Sequence, residues 1–168
     1  GKGHALMAGF EAALERPEAQ CVITLDADGQ HDPVEIPGLY AAFRQGHADF
    51  AIGSRSFSGK EVPLRSWLGN TLTALLTKIL LGRRIGDTQS GYRLHSRAYV
   101  EEILKTVTPG RYEMEMEILV KAVRDNYTVA LVPIKTIYEE GNPTSHFNKL
   151  RDSWLIYKRL FAASLTRR

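Results

Sequence analysis

Gln20-Cys21-Val22-Ile23-Thr24-Leu25 runs directly into Asp26-Ala27-Asp28-Gly29-Gln30-His31-Asp32-Pro33. The apolar stretch is too short for a helix and ends at an acid, so 20–25 reads as a buried strand. In an extended segment, residues two apart share a side, which points Asp26, Asp28 and Gln30 the same way beyond the strand's carboxyl end. Oxygen donors of this kind suit Mg2+ or Mn2+ rather than softer metals. A calcium-binding loop of the helix–loop–helix type fails in this register: its glycine position falls on His31 and its glutamate position on Pro37. The bland alternative is that Asp28-Gly29 only makes a turn and that Asp32 only caps a helix starting at Pro33.

Working outward, residues 4–15 carry Leu6, Phe10, Ala13 and Leu14 at helical spacing, and Ile36, Leu39, Tyr40 and Phe43 do the same up to Gly46. Phe50–Gly53 is a second strand. Residues 64–81 predict a long helix with Leu64, Trp67, Leu68, Thr71, Leu72, Leu75 and Ile79 on one stripe, closed by Gly82. A loop over 82–93, with room for a short strand, leads to a helix near 96–104. Glu113–Ile118 alternates like a strand, but Met116, Leu119, Val120 and Val123 tip it to a helix. Residues 127–138 are β-rich, and Pro133 suits an edge strand or a bulge better than a central strand. A last helix spans about 147–165.

Strands alternating with helices argue for an α/β domain: a mostly parallel sheet flanked by helices, with ligands at the strands' carboxyl edge. Such a sheet normally begins with a strand, whereas this chain opens on a helix. The expectation is that the first strand or strands precede Gly1.

Composition narrows the function classes. The 168 residues, 43% hydrophobic and 24% charged, suit one globular domain rather than a fibrous or disordered chain. A net charge of +3 is too mild to argue for nucleic acid, and no apolar run is long enough to cross a membrane. The single cysteine, Cys21, excludes an intrachain disulfide framework. Charge is unevenly spread: residues 1–50 hold eight acids and three bases, residues 145–168 six bases and one acid. The basic end hints at an anionic partner. No Walker-type phosphate loop, Gly-x-Gly-x-x-Gly, His-Glu-x-x-His or Gly-x-Ser-x-Gly occurs.

Four motifs follow one another: Gly1-Lys2-Gly3-His4-Ala5, then Asp26 to Pro33, then Gly53-Ser54-Arg55, then Asp87-Thr88-Gln89-Ser90-Gly91-Tyr92-Arg93. Pro133-Ile134…Tyr138 and Ser145-His146-Phe147…Arg151-Asp152 extend the series. In this the chain resembles family 2 glycosyltransferases of the GT-A fold, especially the polyprenyl-phosphate (dolichyl-phosphate) mannosyl- and glucosyltransferases. The resemblance implies an inverting transfer of a sugar from a nucleotide diphosphate donor, with Mg2+ or Mn2+ at Asp26, Asp28 and Gln30. It implies donor contacts at Asp26, Ala27, Asp28, Gln30, Arg55 and Arg65, acceptor contacts at Ser90, Arg93 and His146, and Asp87 as the catalytic residue. Residues 1–146 would form the partial catalytic domain and residues 147–168 its C-terminal amphipathic helix. The enzyme is expected in the cytoplasm, peripheral at the inner face of the membrane.

Two points stay open in the sequence. A sugar hydroxyl acceptor would need a general base, for which Asp87 is the candidate; a lipid phosphate is already ionised, and Asp87 would then orient the site. Moreover, Glu140-Gly141-Asn142-Pro143-Thr144-Ser145-His146 stands where the lipid-phosphate mannosyltransferases tend to carry an Arg and a Lys around Gly-x-Ser-Lys. The rival readings are a sugar-nucleotide pyrophosphorylase-like enzyme and a non-catalytic binding or scaffold module.

Overall fold

A computed structural model describes residues 1–55, 87–111 and 113–135, together with positions 71, 75, 77–79, 82, 85, 154–155, 157–158 and 161. Four strands, β1 (Cys21–Thr24), β2 (Phe50–Arg55), β3 (Arg93–Ser96) and β4 (Val129–Ile134), form one sheet in the order β1-β3-β2-β4. β3 is antiparallel to both β1 and β2, and β4 is parallel to β2. Hence β1, β2 and β4 point one way and β3 points back. The expected mostly parallel sheet is, over the described residues, a mixed one.

Helix α1 (Lys2–Leu14) precedes β1, and a 3-10 turn (Pro33–Glu35) leads into α2 (Ile36–Gly46). The turn starts as the sequence predicts: Val34 N–H donates to Asp32 Oδ1 at 3.0 Å, and Pro33 takes the first position. At the far end of α2 the left-handed residue is His47, with φ 46°, not the expected Gly46. Helix α3 (Arg97–Thr106) is capped by Ser96, whose Oγ accepts from Tyr99 N–H at 3.1 Å. Helix α4 (Glu113–Arg124) buries eight of its residues, which explains why its sequence alternates ambiguously: it is nearly enclosed.

Side-chain alternation along the strands divides the interior into two layers. Phe50 and Ile52 of β2 join Phe10, Tyr99, Ile103, Met114 and Leu119 beneath α1, α3 and α4. Ala51 faces the other way, with Leu39, Tyr92, Leu94 and Ile134 beneath α2. β3 is the element the sequence hides, because Arg93-Leu94-His95-Ser96 looks hydrophilic and yet every residue of it is buried. Arg93 is tolerated because its guanidinium donates to the carbonyls of Ser90 (2.8 Å), Thr88 (3.0 Å) and Glu115 (2.6 Å). His95 stacks on Phe50 and meets Phe10 edge-on; burial, with Arg93 nearby, lowers its pKa to about 3.

Some expectations change. β1 is half-buried throughout rather than buried, and in the described sheet it is an edge strand. β4, with Pro133, occupies the other edge as predicted. In the segment expected to form the long helix, positions 71, 75 and 77–79 are helical. Gly82 N–H donates to the Lys78 carbonyl at 3.1 Å with φ 71°, as a helix-closing glycine does. Among these described positions Thr77 is buried, while Thr71, Leu75 and Ile79 of the expected stripe are exposed; the rest of that stripe lies outside the described residues.

Candidate functional site

Since β3 runs backwards, its first residues lie beside the last residues of β1 and β2: Arg93 pairs with Thr24 on one side and Ile52 on the other. The chain leaving β1 (Asp26–His31), the end of β2 (Arg55) and the chain entering β3 (Asp87–Tyr92) therefore converge at one sheet edge. Gly91 is where they touch. A Cβ there would lie 2.3 Å from Asp26 Oδ2, so only glycine leaves room for that carboxylate. Thr24 Oγ1 completes the join by donating to the Gly91 carbonyl at 3.3 Å.

Past Asp26 the chain is a turn, not the extended segment the spacing argument assumed: Gly29 has φ 81°, and Gln30 N–H donates to Asp28 Oδ1 at 3.1 Å. An alternation in burial is kept nonetheless. Asp26, Asp28 and Gln30 are half-buried while Leu25, Ala27 and Gly29 are exposed. The bland reading of Asp28 as a turn-former and Asp32 as a cap is also true of the backbone, and both roles leave carboxylate oxygens with further acceptor capacity.

Asp26 already carries a cation. The Lys2 ammonium lies 2.5 Å from Asp26 Oδ1 and 2.7 Å from Glu115 Oε2. Burial works against its charge, but the carboxylates of Glu115 and Asp26 outweigh that and raise its pKa. His31, buried beside Tyr92, accepts the Asp26 N–H through Nδ1 at 3.2 Å. Burial is the main cause of its lowered pKa, opposed by Asp26, so the ring stays neutral and able to accept. Glu115 is gripped at both ends, by Lys2 at its carboxylate and by Arg93 at its carbonyl.

Asp87 is fully buried and bidentate on Arg55: Nε donates to Oδ2 at 2.6 Å and Nη2 to Oδ1 at 2.9 Å. Arg55 N–H adds a third bond to Oδ2 at 3.1 Å. That arrangement does not suit a general base, whose oxygen must reach the acceptor. Ser90 is buried, its Oγ accepting from Tyr92 N–H, and Arg93 is committed to three carbonyls. Both therefore build the loop rather than present themselves to an acceptor. Arg65 and His146 lie outside the described residues. Sequence reasoning gave no role to Lys2, His31 or Glu115. Gly3 packs closely on Gly110, where a Cβ would fall 2.4 Å from the Gly110 carbonyl oxygen, a contact the sequence reading did not foresee.

The donor set fits a hard divalent cation. It is all oxygen, the Lys2 ammonium shows that it accepts positive charge, and hard ions complete their shells with water and substrate phosphate. Among the described residues no group of three or more His, Cys, Asp or Glu side chains could hold a metal. Asp26 and Asp28 would therefore need the Gln30 amide or non-protein ligands.

The profile described as glycosyl transferase family 2 matches residues 1–104. The chain belongs to that family. A dolichyl-phosphate N-acetylglucosaminyltransferase of Methanococcus voltae is 31% identical over 163 residues, covering 95% of this chain and 64% of its own length. A polyprenol monophosphomannose synthase of Mycolicibacterium smegmatis is 36% identical over 140 residues, covering 80% and 51%. This family 2 chain thus spans less than two thirds of the length of these curated relatives. Glucosyl-3-phosphoglycerate synthase from Mycobacterium tuberculosis superimposes with a TM-score of 0.70 at 19% identity, over 100% of this chain and 56% of that one. The fold is therefore GT-A, as the ordered motifs imply.

Proposed function

We propose that this family 2 chain forms the catalytic part of an inverting glycosyltransferase that moves a hexose from a nucleoside diphosphate donor to a polyprenyl phosphate. One observation carries the reading: three motifs, contributing Asp26, then Arg55, then Asp87 and Gly91, meet at the edge where an open α/β sheet binds its ligand. The printed functions of the relatives, transfer to dolichyl phosphate and synthesis of polyprenol monophosphomannose, name the acceptor class.

Asp26, Asp28 and Gln30 would hold Mg2+ or Mn2+, which when bound neutralises charge on the leaving diphosphate. A related-fold synthase has been crystallised with Mn2+ and UDP-glucose, in keeping with such a site. In this reading Arg55 serves the donor phosphates while Asp87 fixes the plane of its guanidinium. With Asp87 so engaged, the acceptor that fits is one already ionised. A lipid phosphate attacks without giving up a proton, so the site needs no base. Arg65, and His146 at the acceptor, complete the proposed set.

The test is transfer of labelled sugar from UDP-glucose, UDP-N-acetylglucosamine and GDP-mannose to a polyprenyl phosphate, with Mn2+ or Mg2+ added. Chelation and Asp28→Ala should each lower turnover at least ~100-fold, the scale on which losing a key electrostatic group acts. Undiminished transfer in EDTA, or transfer to glycan hydroxyls but never to the lipid phosphate, would overturn the reading. The exposed Trp154 and Phe161 belong to the proposed contact with the membrane that carries such an acceptor.

A further inference from the structure

Among the described residues, Lys2 is the cation seen on Asp26, a carboxylate to which the proposed function assigns a metal. Its position is fixed from two sides. It opens α1, and the next residue, Gly3, donates its N–H to the Gly110 carbonyl at 3.2 Å, so the start of α1 is pinned to the segment that enters α4. Three residues into α4 stands Glu115, its backbone held by Arg93 and its side chain 9% exposed. The Lys2 ammonium sits between Asp26 and Glu115, within 2.7 Å of each. An ammonium and a divalent ion cannot share one carboxylate oxygen at contact distance without strong repulsion.

We propose that the Lys2 ammonium is the resting counter-ion of Asp26 and Glu115 its alternative anchor, so that metal capture moves the ammonium from Asp26 wholly onto Glu115. Lys2 and Glu115 then set how tightly the site takes a divalent ion. This rests on the metal reading of Asp26 and Asp28 given above. The swing needs no backbone motion, because a lysine side chain has four rotatable bonds and Glu115 is already in contact. It gives the metal-free protein a neutralised Asp26, and it leaves no buried unpaired charge at Glu115 once the metal has entered. Glu115 is here a positioning residue, acting through Lys2.

The probe is Mn2+ alone, its free fraction followed by electron paramagnetic resonance, with folding checked by circular dichroism. Lys2→Met should tighten Mn2+ binding about tenfold, within the range seen for coupled sites. Glu115→Gln should weaken it, because the displaced ammonium loses its anchor. The decisive comparison is the double variant: with Lys2 gone, adding Glu115→Gln should change affinity little. The double variant also removes the unpaired buried carboxylate, so it serves where Lys2→Met alone fails to fold, read against Glu115→Gln. Unchanged or weaker binding without Lys2 would overturn the proposal. So would a Glu115→Gln loss equally large in both backgrounds, which marks a simple field effect. If Asp28→Ala leaves Mn2+ binding intact, the metal reading itself falls, and the proposal with it.

Discussion

Arg55→Met separates a built ion pair from a surface one. Asp87 has no solvent exposure and, among the described residues, accepts three hydrogen bonds from Arg55; two come from the guanidinium and one from the backbone N–H. Methionine keeps the stem and the backbone bond while removing the charge and both side-chain donors. Removing one partner of a buried pair costs about 3–5 kcal/mol. The retained backbone bond, and an Arg55 side chain that is 19% exposed, place this variant near the lower end, at about 3 kcal/mol. For a domain of this size that corresponds to a fall in Tm of roughly 6–12 °C. Arg55→Lys should recover only part of it, because a single ammonium cannot reproduce the two-pronged geometry. Adding Asp87→Asn to Arg55→Met should recover part as well, since an unpaired amide costs less to bury than an unpaired carboxylate. The assay is urea and thermal unfolding by far-ultraviolet circular dichroism. A loss below about 1 kcal/mol for Arg55→Met, the value of an exposed pair, would refute the reasoning.

Two further outcomes follow from other parts of the molecule. His95 is lowered from 6.5 to about 3, first by burial, so the folded state refuses a proton that the unfolded chain takes up; stability present above pH 6.5 is lost as pH falls towards 3. His95→Leu should flatten that limb by up to about 1.4 kcal/mol per pH unit in urea titrations between pH 7 and 4.5, and an unchanged acid slope would contradict it. Trp154 and Phe161 are 61% and 59% exposed, with the Lys158 ammonium 5.1 Å from the Trp154 ring centre, so the intact protein should co-sediment with anionic liposomes and a Trp154→Glu/Phe161→Glu variant should not. Equal sedimentation of a folded variant would remove these residues from the membrane contact.

What the sequence made legible was whatever local chemistry decides. Asp32-Pro33 starts a turn because an acid side chain and a fixed φ do so anywhere, and Pro133 marks an edge because it has no N–H to donate. The spacing of Asp26, Asp28 and Gln30 correctly foresaw an alternation, all three being more buried than the residues between them, although the chain holding them is a turn rather than a strand. Illegible were the features that depend on distant partners. Arg93 looks like a ligand-binding arginine until Ser90, Thr88 and Glu115 are seen to occupy its guanidinium. Glu115 looks like one acid of an alternating run until Lys2, over a hundred positions earlier, is found on it. Leu75 and Ile79 fit a helical stripe, but periodicity cannot say which side of a helix the protein covers, and among the described positions there the buried one is Thr77.

The direction of β3 ties these particulars together. Were it parallel to β1 and β2, its last residues, Ser96 and the chain into Arg97, would arrive at Asp26 and Arg55, and Asp87–Gly91 would lie at the opposite edge. That opposite edge holds a surface cavity of about 440 Å3 lined by residues including Gln20, Arg44, Asp49, Ser96 and Arg97. Running backwards, β3 instead delivers Asp87 to Arg55 and Gly91 to Asp26, and its first residue, Arg93, anchors the delivered loop through the Ser90 and Thr88 carbonyls. Arg93 can do this only from inside the sheet, between Thr24 and Ile52 and over the Phe50 ring. The polar residue that hides β3 from sequence reading is thus the residue that fixes its loop at the site. The same guanidinium, through the Glu115 carbonyl, reaches the acid that pairs with Lys2. Motif order along the chain is therefore a record of one reversed strand: reverse it again, and the same four motifs would no longer meet.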